Sequence, residues 1–242
     1  MVTDLIRKEV IMRILAMITA RGGSKRIPRK NIKEFCGKPM LAYSVEAAVS
    51  SGVFDTVMVS TDDEEIAQIG TKYGAEVPFF RSGKTSGDFA TTSDVILEVI
   101  EEYEKRGEHF DIVCCIYPTA PFLTAARLKE AVQKLSASDA DTLIPVVAFS
   151  YPPQRALVEK DGKLIFRHPE HLNSRSQDLE PYYHDAGQFY VMRIEAFKKN
   201  RHMMVGNLIP LPLSELEVQD IDNVTDWALA ELKYRLIHEN DL

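Results

Sequence analysis

The chain has 242 residues, 45% of them hydrophobic and 27% charged, and its 29 Lys or Arg against 36 Asp or Glu leave a net charge of −7. That is the composition of a globular protein with ample chain for a buried core. The acidic balance speaks against a general nucleic-acid binder and an anionic membrane surface, and no apolar stretch approaches the ~18 residues of a membrane span. In chain order, residues 1–11 precede a second methionine, Met12, and read as an N-terminal extension too mixed in charge for a secretory signal. Residues 14–20 form a short apolar run closed by Gly22-Gly23, the pattern of a buried strand. Residues 40–50 have helical spacing and stop before Gly52, and residues 56–60 read as the next strand. Asp62 and Asp63 open a helix through Tyr73 that Gly74 ends, with acidic residues at the favourable pole of the dipole. Residues 76–80 read as a short strand, 93–106 as an amphipathic helix, 112–117 as a second buried strand and 125–136 as a helix. Residues 142–149 read as a strand whose proline points to an edge or a bulge.

Residues 150–187 break this rhythm with four prolines, scattered His and Arg, and an Asp161-Gly162 turn signal; they read as a hairpin arm or small subdomain within one domain spanning 12–242. A strand at 188–192, a helix near 195–200 and extended runs at 207–213 and 217–221 follow. A C-terminal helix after Asn223 carries Trp227, Leu229, Leu232, Leu236 and Ile237 at helical spacing. Strand–helix alternation over the first 149 residues predicts an α/β fold with a mostly parallel central sheet between helical layers. Cys36, Cys114 and Cys115 are odd in number and lack metal spacing, so buried reduced thiols and a cytoplasmic location are expected.

The charge is concentrated in one place. Six cations lie between residues 21 and 33 with no acid among them, a +6 loop that leaves −13 on the rest of the chain. It follows the first predicted strand, where open α/β sheets bind ligands. Gly22 and Gly23 let the backbone approach a ligand and offer N–H groups for an anion nest, while Arg21 and Lys25 supply charge for phosphates. Neither the P-loop nor the dinucleotide fingerprint is present. A solvated basic loop and a nucleic-acid contact are the competing readings, the latter weakened because no aromatic residue between positions 20 and 34 offers a stacking surface.

The segment ARGGSKRIPRKNI at residues 20–32 resembles the N-terminal signature of the acylneuraminate cytidylyltransferases (CMP-sialic acid synthetases). The likeness continues through Gly37-Lys38-Pro39, VSTDDEEIA from Val59, YGAEV from Tyr73, FRS at Phe80, DFATTSDV at Asp88, YPTAP at Tyr117 and DID at Asp220. Within that family the sialic acid enzymes usually carry Gln where Tyr117 stands, and the run RSQDLEPYYHDAGQFY from Arg175 departs from their usual Arg-Pro-Asn-Gly approach; both features resemble the pseudaminic acid branch. Thr19 replaces a proline common in the family.

The resemblance implies a three-layer nucleotide-diphospho-sugar transferase-like (Rossmann-like) fold. It also implies transfer of CMP from CTP to the anomeric hydroxyl of pseudaminic acid, for bacterial surface or flagellin glycosylation. N-acetylneuraminate or another nonulosonate stays open as the acceptor, as does a non-catalytic nucleotide-binding module. By the same resemblance Arg21, Ser24, Lys25, Lys30 and Asn31 match the triphosphate loop, with Arg21 and Lys25 offsetting pyrophosphate charge. Arg81 and Thr92, with Asp88 between them, match the loop that encloses cytidine. Tyr117, Arg155, Arg175 and Gln188 are the sugar-side candidates, with His184 and Asp185 beside them. Asp220 and Asp222 share one side of an extended segment and match the carboxylates for Mg²⁺, which usually takes one or two carboxylates together with phosphates. Helix capping by Asp222 or Asn223 is the competing reading of that pair, and capping is likewise the competing reading of Asp88. Arg26 and Arg29 are expected to be exposed solubilising charge, and His184 to be either a ligand contact or a satisfied core histidine. The expected partners are CTP and a nonulosonic acid, with no nucleic acid and no membrane. Residues 150–187 are expected to act as a homodimerisation arm reaching into a partner's site.

Overall fold

The computed structural model describes residues 12–24, 26–87 and 89–238; the expected extension over 1–11, Lys25 and Asp88 lie outside the described residues. The chain forms β1 (Ile14–Thr19), a short ribbon of β2 (Glu34–Phe35) and β3 (Lys38–Pro39), α1 (Met40–Ser51), β4 (Thr56–Ser60), α2 (Glu64–Lys72), α3 (Gly83–Ser86) and α4 (Thr92–Lys105). There follow β5 (Ile112–Ile116), α5 (Ala125–Ser136), β6 (Thr142–Ala148), β7 (Leu157–Lys160), β8 (Lys163–Phe166), β9 (Tyr183–Asp185), β10 (Phe189–Arg193), α6 (Ile194–Asn200), β11 (Leu208–Pro212) and α7 (Val224–His238). The main sheet runs β11-β6-β10-β5-β1-β4, with β9 beside the second half of β6. Along that path only β10 runs against the others, as its antiparallel pairing to both β5 and β6 requires.

The position of β1 explains why its sequence is apolar from Ile14 to Ile18. Leu15 and Met17 pack on one face with α4 and α6, while Ile14, Ala16 and Ile18 pack on the other with α1, α2 and α5. Both faces are dry, so period-two alternation disappears. Helix α4 contributes Val95, Ile96, Val99 and Ile100, each buried and each stabilising by roughly 1.5–3 kcal/mol if fully removed from water. A third cluster joins Ile27 of the basic loop to Phe35, Met40, Tyr43, Phe122, Ile221, Trp227 and Ala230.

Several expectations change. Residues 76–80 form no strand; Glu76 makes only an isolated bridge to Met58. Strand β6 is not at the edge, because β11 lies outside it. Its Pro145 sits where the partner on the other side changes from β10 to β9, and there the Pro145 carbonyl accepts from the Ala186 N–H, so the missing N–H breaks no continuous ladder. Residues 215–217 tighten into a 3-10 turn, and 218–222 continue without strand pairing. In α7 only Trp227 and Ala230 are buried, while Leu229, Leu232 and Leu236 are half or more exposed. Cys114 and Cys115 are fully buried, but Cys36 is half-buried at a positive φ, and all three are free thiols. The Asp161-Gly162 turn has positive φ at both residues and closes the β7–β8 hairpin, as a primed turn does. Among the described residues no helix is long and apolar enough to cross a membrane.

Candidate active site

The basic loop leaves the C-terminal end of β1 and is tied down by the next strand–helix junction. Asp62 accepts from the Gly22 N–H at 3.0 Å. Asp63 caps α2 by accepting from the Ile66 N–H at 3.0 Å, and takes the Arg29 guanidinium at 2.5 and 3.2 Å; Arg29 also meets Glu65. The Arg29 bond holds the Asp63 carboxyl below its ordinary value and raises Arg29 in turn. These contacts overturn two expectations. Arg29 is a structural tie rather than solubilising charge, and the Gly22 N–H is spent on Asp62 rather than left for an anion nest. Gly22 is needed for another reason: a Cβ there would lie 2.8 Å from Asp63 Oδ2. At Gly23 the same Cβ would meet nothing within 4 Å. Asn31 is buried and its side-chain amide donates to the Arg21 carbonyl at 2.9 Å, which fixes the backbone on which Arg21 stands.

The far end of the chain closes over this loop. Ile221 is buried against Ile27 and Trp227 in the third cluster, so the carboxylates on either side of it point outward. Asn223 caps α7 by accepting from the Thr225 and Asp226 N–H groups at 2.8 and 3.0 Å. Asp226 returns the favour by accepting from the Asn223 and Asp222 N–H groups. The capping role therefore belongs to Asn223 and Asp226, and the Asp222 carboxylate is left to other partners. Arg26 Nη1 lies 2.6 Å from Asp222 Oδ2, so Arg26 is not merely solubilising. Lys30 Nζ donates to the Ile221 carbonyl at 2.6 Å and lies 3.8 Å from Asp222 Oδ1. Burial pulls the Lys30 amine down, and the charge of Asp222 opposes that. Lys33 lies 4.4 Å over the Trp227 ring.

Two compartments meet at Thr19 and Arg21, which line both. One, of about 420 Å³, is lined also by Ser24, Arg26, Ile27, Lys30, Asn31, Tyr117, Pro118 and Thr119. The other, of about 230 Å³, is lined also by Arg81, Thr85, Gly87, Ala90, Thr92 and Val95. Arg81 donates to Ser60 Oγ and to the Ser60 carbonyl, both at 2.8 Å, and burial lowers its guanidinium to about 10, still protonated at neutral pH. Thr92 is the first residue of α4, which is capped by Thr91 with Asp94. A wider cleft, of about 920 Å³, opens at the opposite ends of the strands around Asp111, Asp141 and Arg193 and shares no residue with these compartments.

The sugar-side candidates divide. Tyr117 follows β5 and lines the larger compartment. Gln188 is buried and its amide donates to the Glu217 carbonyl at 2.5 Å, so it braces the 215–222 segment rather than lining either compartment. Arg155 and Arg175 sit exposed on the 150–187 segment, Arg155 bonded to Ser176 at 3.3 Å and Arg175 to Asp178 at 2.7 Å, and neither lines the compartments of its own chain. His184 is exposed and packs edge-on against Phe149, so it is no core histidine. Asp185 accepts from the Tyr190 hydroxyl at 2.5 Å. Sequence reasoning missed Tyr190, whose only signal was an aromatic in an apolar strand. It also missed the tying role of Asp62, Asp63 and Glu65, which their helix-start position concealed.

The carboxylate segment suits a divalent cation on donor chemistry. Asp222 is free of capping and already attracts two cationic side chains, and Asp220 flanks it on the same exposed side. Among the described residues no group of three or more His, Cys, Asp or Glu forms a metal cage. A site of one or two carboxylates completed by ligand phosphates does not need one.

A family model described as cytidylyltransferase matches residues 15–222. The chain is 41% identical over 230 residues to a pseudaminic acid cytidylyltransferase of Campylobacter jejuni subsp. jejuni, covering 95% of this chain and 99% of that one. It is 32% identical to a CMP-N,N'-diacetyllegionaminic acid synthase of Legionella pneumophila, covering 94% and 99%. Among solved structures it resembles a CMP:2-keto-3-deoxy-manno-octonic acid synthetase complexed with CTP, with a TM-score of 0.66 at 19% identity over 94% of this chain and 99% of that one. The fold, the matched motifs and the extent of these likenesses lead to one conclusion: the chain belongs to the cytidylyltransferase family.

Proposed function

We propose that this enzyme transfers CMP from CTP to the anomeric hydroxyl of a nonulosonic acid, pseudaminic acid, and releases pyrophosphate. The observation that carries the reaction is the meeting of two compartments at Arg21, with Lys30 joining the basic loop to the Asp222 segment. The choice of sugar rests on the 41% identical relative of that name and on Tyr117 at the sugar side. In this reading cytidine sits beside Arg81 and Thr92, and the triphosphate lies along Arg21, Ser24, Lys25, Lys30 and Asn31. The sugar oxygen attacks the α-phosphorus, the bond from that phosphorus to the bridging β-oxygen breaks, and the hydroxyl proton leaves to solvent. Arg21 and Lys30 offset the charge that builds on the leaving pyrophosphate. Asp220 and Asp222 would hold a divalent cation, Mg²⁺ in this reading, which supplies further positive charge at the phosphate oxygens. Use of CTP from the intracellular pool makes a cytoplasmic location part of the same reading.

The arm belongs to the proposal as a homodimer element. The β7–β8 hairpin is a separate two-stranded sheet that leaves Leu157, Val158, Leu164 and Ile165 exposed, and such a hairpin is marginal alone in water. A second copy covering it would bring Arg155 and Arg175 toward the partner's sugar site, where two arginines suit a carboxylate. Sedimentation together with turnover tests this: a monomer with full activity would overturn it.

Pyrophosphate release from CTP, measured with a panel of nonulosonic acids with and without Mg²⁺, tests the reaction. Release is expected with pseudaminate and the metal. Release with neuraminate but not pseudaminate refutes the sugar assignment, and no release with any sugar refutes the enzyme. Asp222→Asn is expected to abolish turnover and to weaken Mn²⁺ binding while the thermal transition persists.

A further inference from the structure

The short turn beside the smaller compartment is held from behind. Helix α3 is a single turn of four residues that starts at Gly83 and is followed by Gly87, and so short a helix does not hold itself together in water. Ties on either side set its place. On one side the Arg81 N–H donates to the Thr61 carbonyl at 2.9 Å, and the Arg81 guanidinium is bonded to Ser60. On the other side stands the half-buried Glu98 of α4. Its Oε1 accepts from the Ser82 N–H at 2.9 Å, and its Oε2 accepts from the Thr85 hydroxyl.

Glu98 is not among the residues that line the smaller compartment. It lines a separate hollow together with Ser82, Lys84 and Thr85, and Thr85 lines the compartment as well. Thr85 is buried, so it forms a wall between the two spaces. The carboxylate grips the back of that wall, and Arg81 and Gly87 continue its front. With both oxygens engaged, Glu98 fixes positions 82 and 85 and so the course of the chain from Arg81 to Gly87. A base received there needs that stretch already in place, because ordering it on binding would weaken the affinity.

We propose that Glu98 is a positioning residue for CTP: it holds the 82–86 turn against α4, so that the wall of the cytidine compartment is formed before the nucleotide arrives. This rests on the reading of the compartment beside Arg81 and Thr92 as the cytidine site.

The test uses three variants of the full chain, steady-state constants for both substrates, and calorimetric titration of CTP without sugar. Glu98→Ala is expected to raise the KM and Kd for CTP about 10-fold and to leave kcat and the sugar KM within about two-fold. Glu98→Gln keeps an acceptor for Ser82 and can donate to the Thr85 oxygen, so its CTP constants should stay within about three-fold of the parent. Glu98→Asp keeps the charge but is one methylene too short to reach both partners, and should resemble Glu98→Ala. Unchanged CTP constants in Glu98→Ala and Glu98→Asp, or a rise in the sugar KM in place of the CTP KM, overturn the proposal. Parent-like constants in Glu98→Asp with a loss in Glu98→Gln would assign the effect to charge opposite Arg81 and overturn it equally. Thermal melting confirms folding, and if Glu98→Ala does not fold, the Gln and Asp variants decide the matter by the same comparison. A chain that neither binds CTP nor turns over any nonulosonic acid defeats the functional reading itself. Turnover with parent-like CTP constants in the variants defeats only the role of Glu98.

Discussion

Two adjacent glycines in the basic loop should respond unequally to the same substitution. In Gly22→Ala the new Cβ would lie 2.8 Å from Asp63 Oδ2, 3.2 Å from its Cβ and 3.3 Å from its Cγ. Three atoms of one side chain are involved, so turning the carboxylate alone does not relieve the contact. Asp63 cannot yield freely either, because it caps α2 at Ile66 and holds Arg29 through two bonds. Losing a cap costs about 1 kcal/mol, and loosening the partly exposed charge pair adds up to about 1 kcal/mol more. The expected destabilisation is therefore about 2 kcal/mol, read in a chain of this size as a fall in Tm of roughly 4–8 °C. Gly23→Ala meets nothing within 4 Å, and Gly23 is not at positive φ, so its Tm should stay within about 1–2 °C. The Gly22 variant should also raise the KM for CTP, because the loop that presents Arg21 moves with Asp63. Paired thermal melts and CTP titrations decide it. Equal behaviour of the two variants, or an unchanged Gly22→Ala, would refute the packing argument.

The Asp63–Arg29 contact carries a pH signature. Arg29 depresses the folded-state carboxyl below its ordinary value of 3.8, so its stabilisation is full above that pH and is lost as pH falls through the lower folded value. Melts of the parent chain and Asp63→Asn should therefore converge on acidification below about pH 4; a gap that stays constant to pH 2.5 would contradict this. Trp227→Ala removes a buried ring from the cluster that holds Ile221 against the loop and should cost about 3–5 kcal/mol, measurable by denaturant unfolding. A loss under 1 kcal/mol would show that α7 is not what closes the site. Arg26→Gln breaks an exposed pair and should change stability by less than about 0.5 kcal/mol while tightening Mn²⁺ binding in the absence of nucleotide. Weaker binding would mean that Arg26 does not compete for Asp222.

The sequence alone determined the local order and the family. The apolar run that opens at Ile14 reads as a strand buried on both faces and the Asp161-Gly162 dipeptide as a tight turn, and both form. Period, capping residues and turn chemistry act over a few positions, which is why helices such as α5 match their expected limits. What each charge does was not legible, because partners far apart in sequence decide it. Arg29 and Asp63 are 34 positions apart and Arg26 and Asp222 are 196 apart, yet each pair is in direct contact. The +6 loop read as phosphate-binding charge with Arg26 and Arg29 as solvated surface. The tertiary structure distributes it: Arg26, Arg29, Lys30 and Lys33 are held by Asp222, Asp63, the Ile221 carbonyl and Trp227, and Arg21 lines both compartments. The burial of Ile27 against Ile221 and Trp227 brings the two ends of the fold together, and no local pattern in either segment specifies that contact. Hydrophobic contact has no direction of its own, so only the closed fold decides which carboxylate faces which cation.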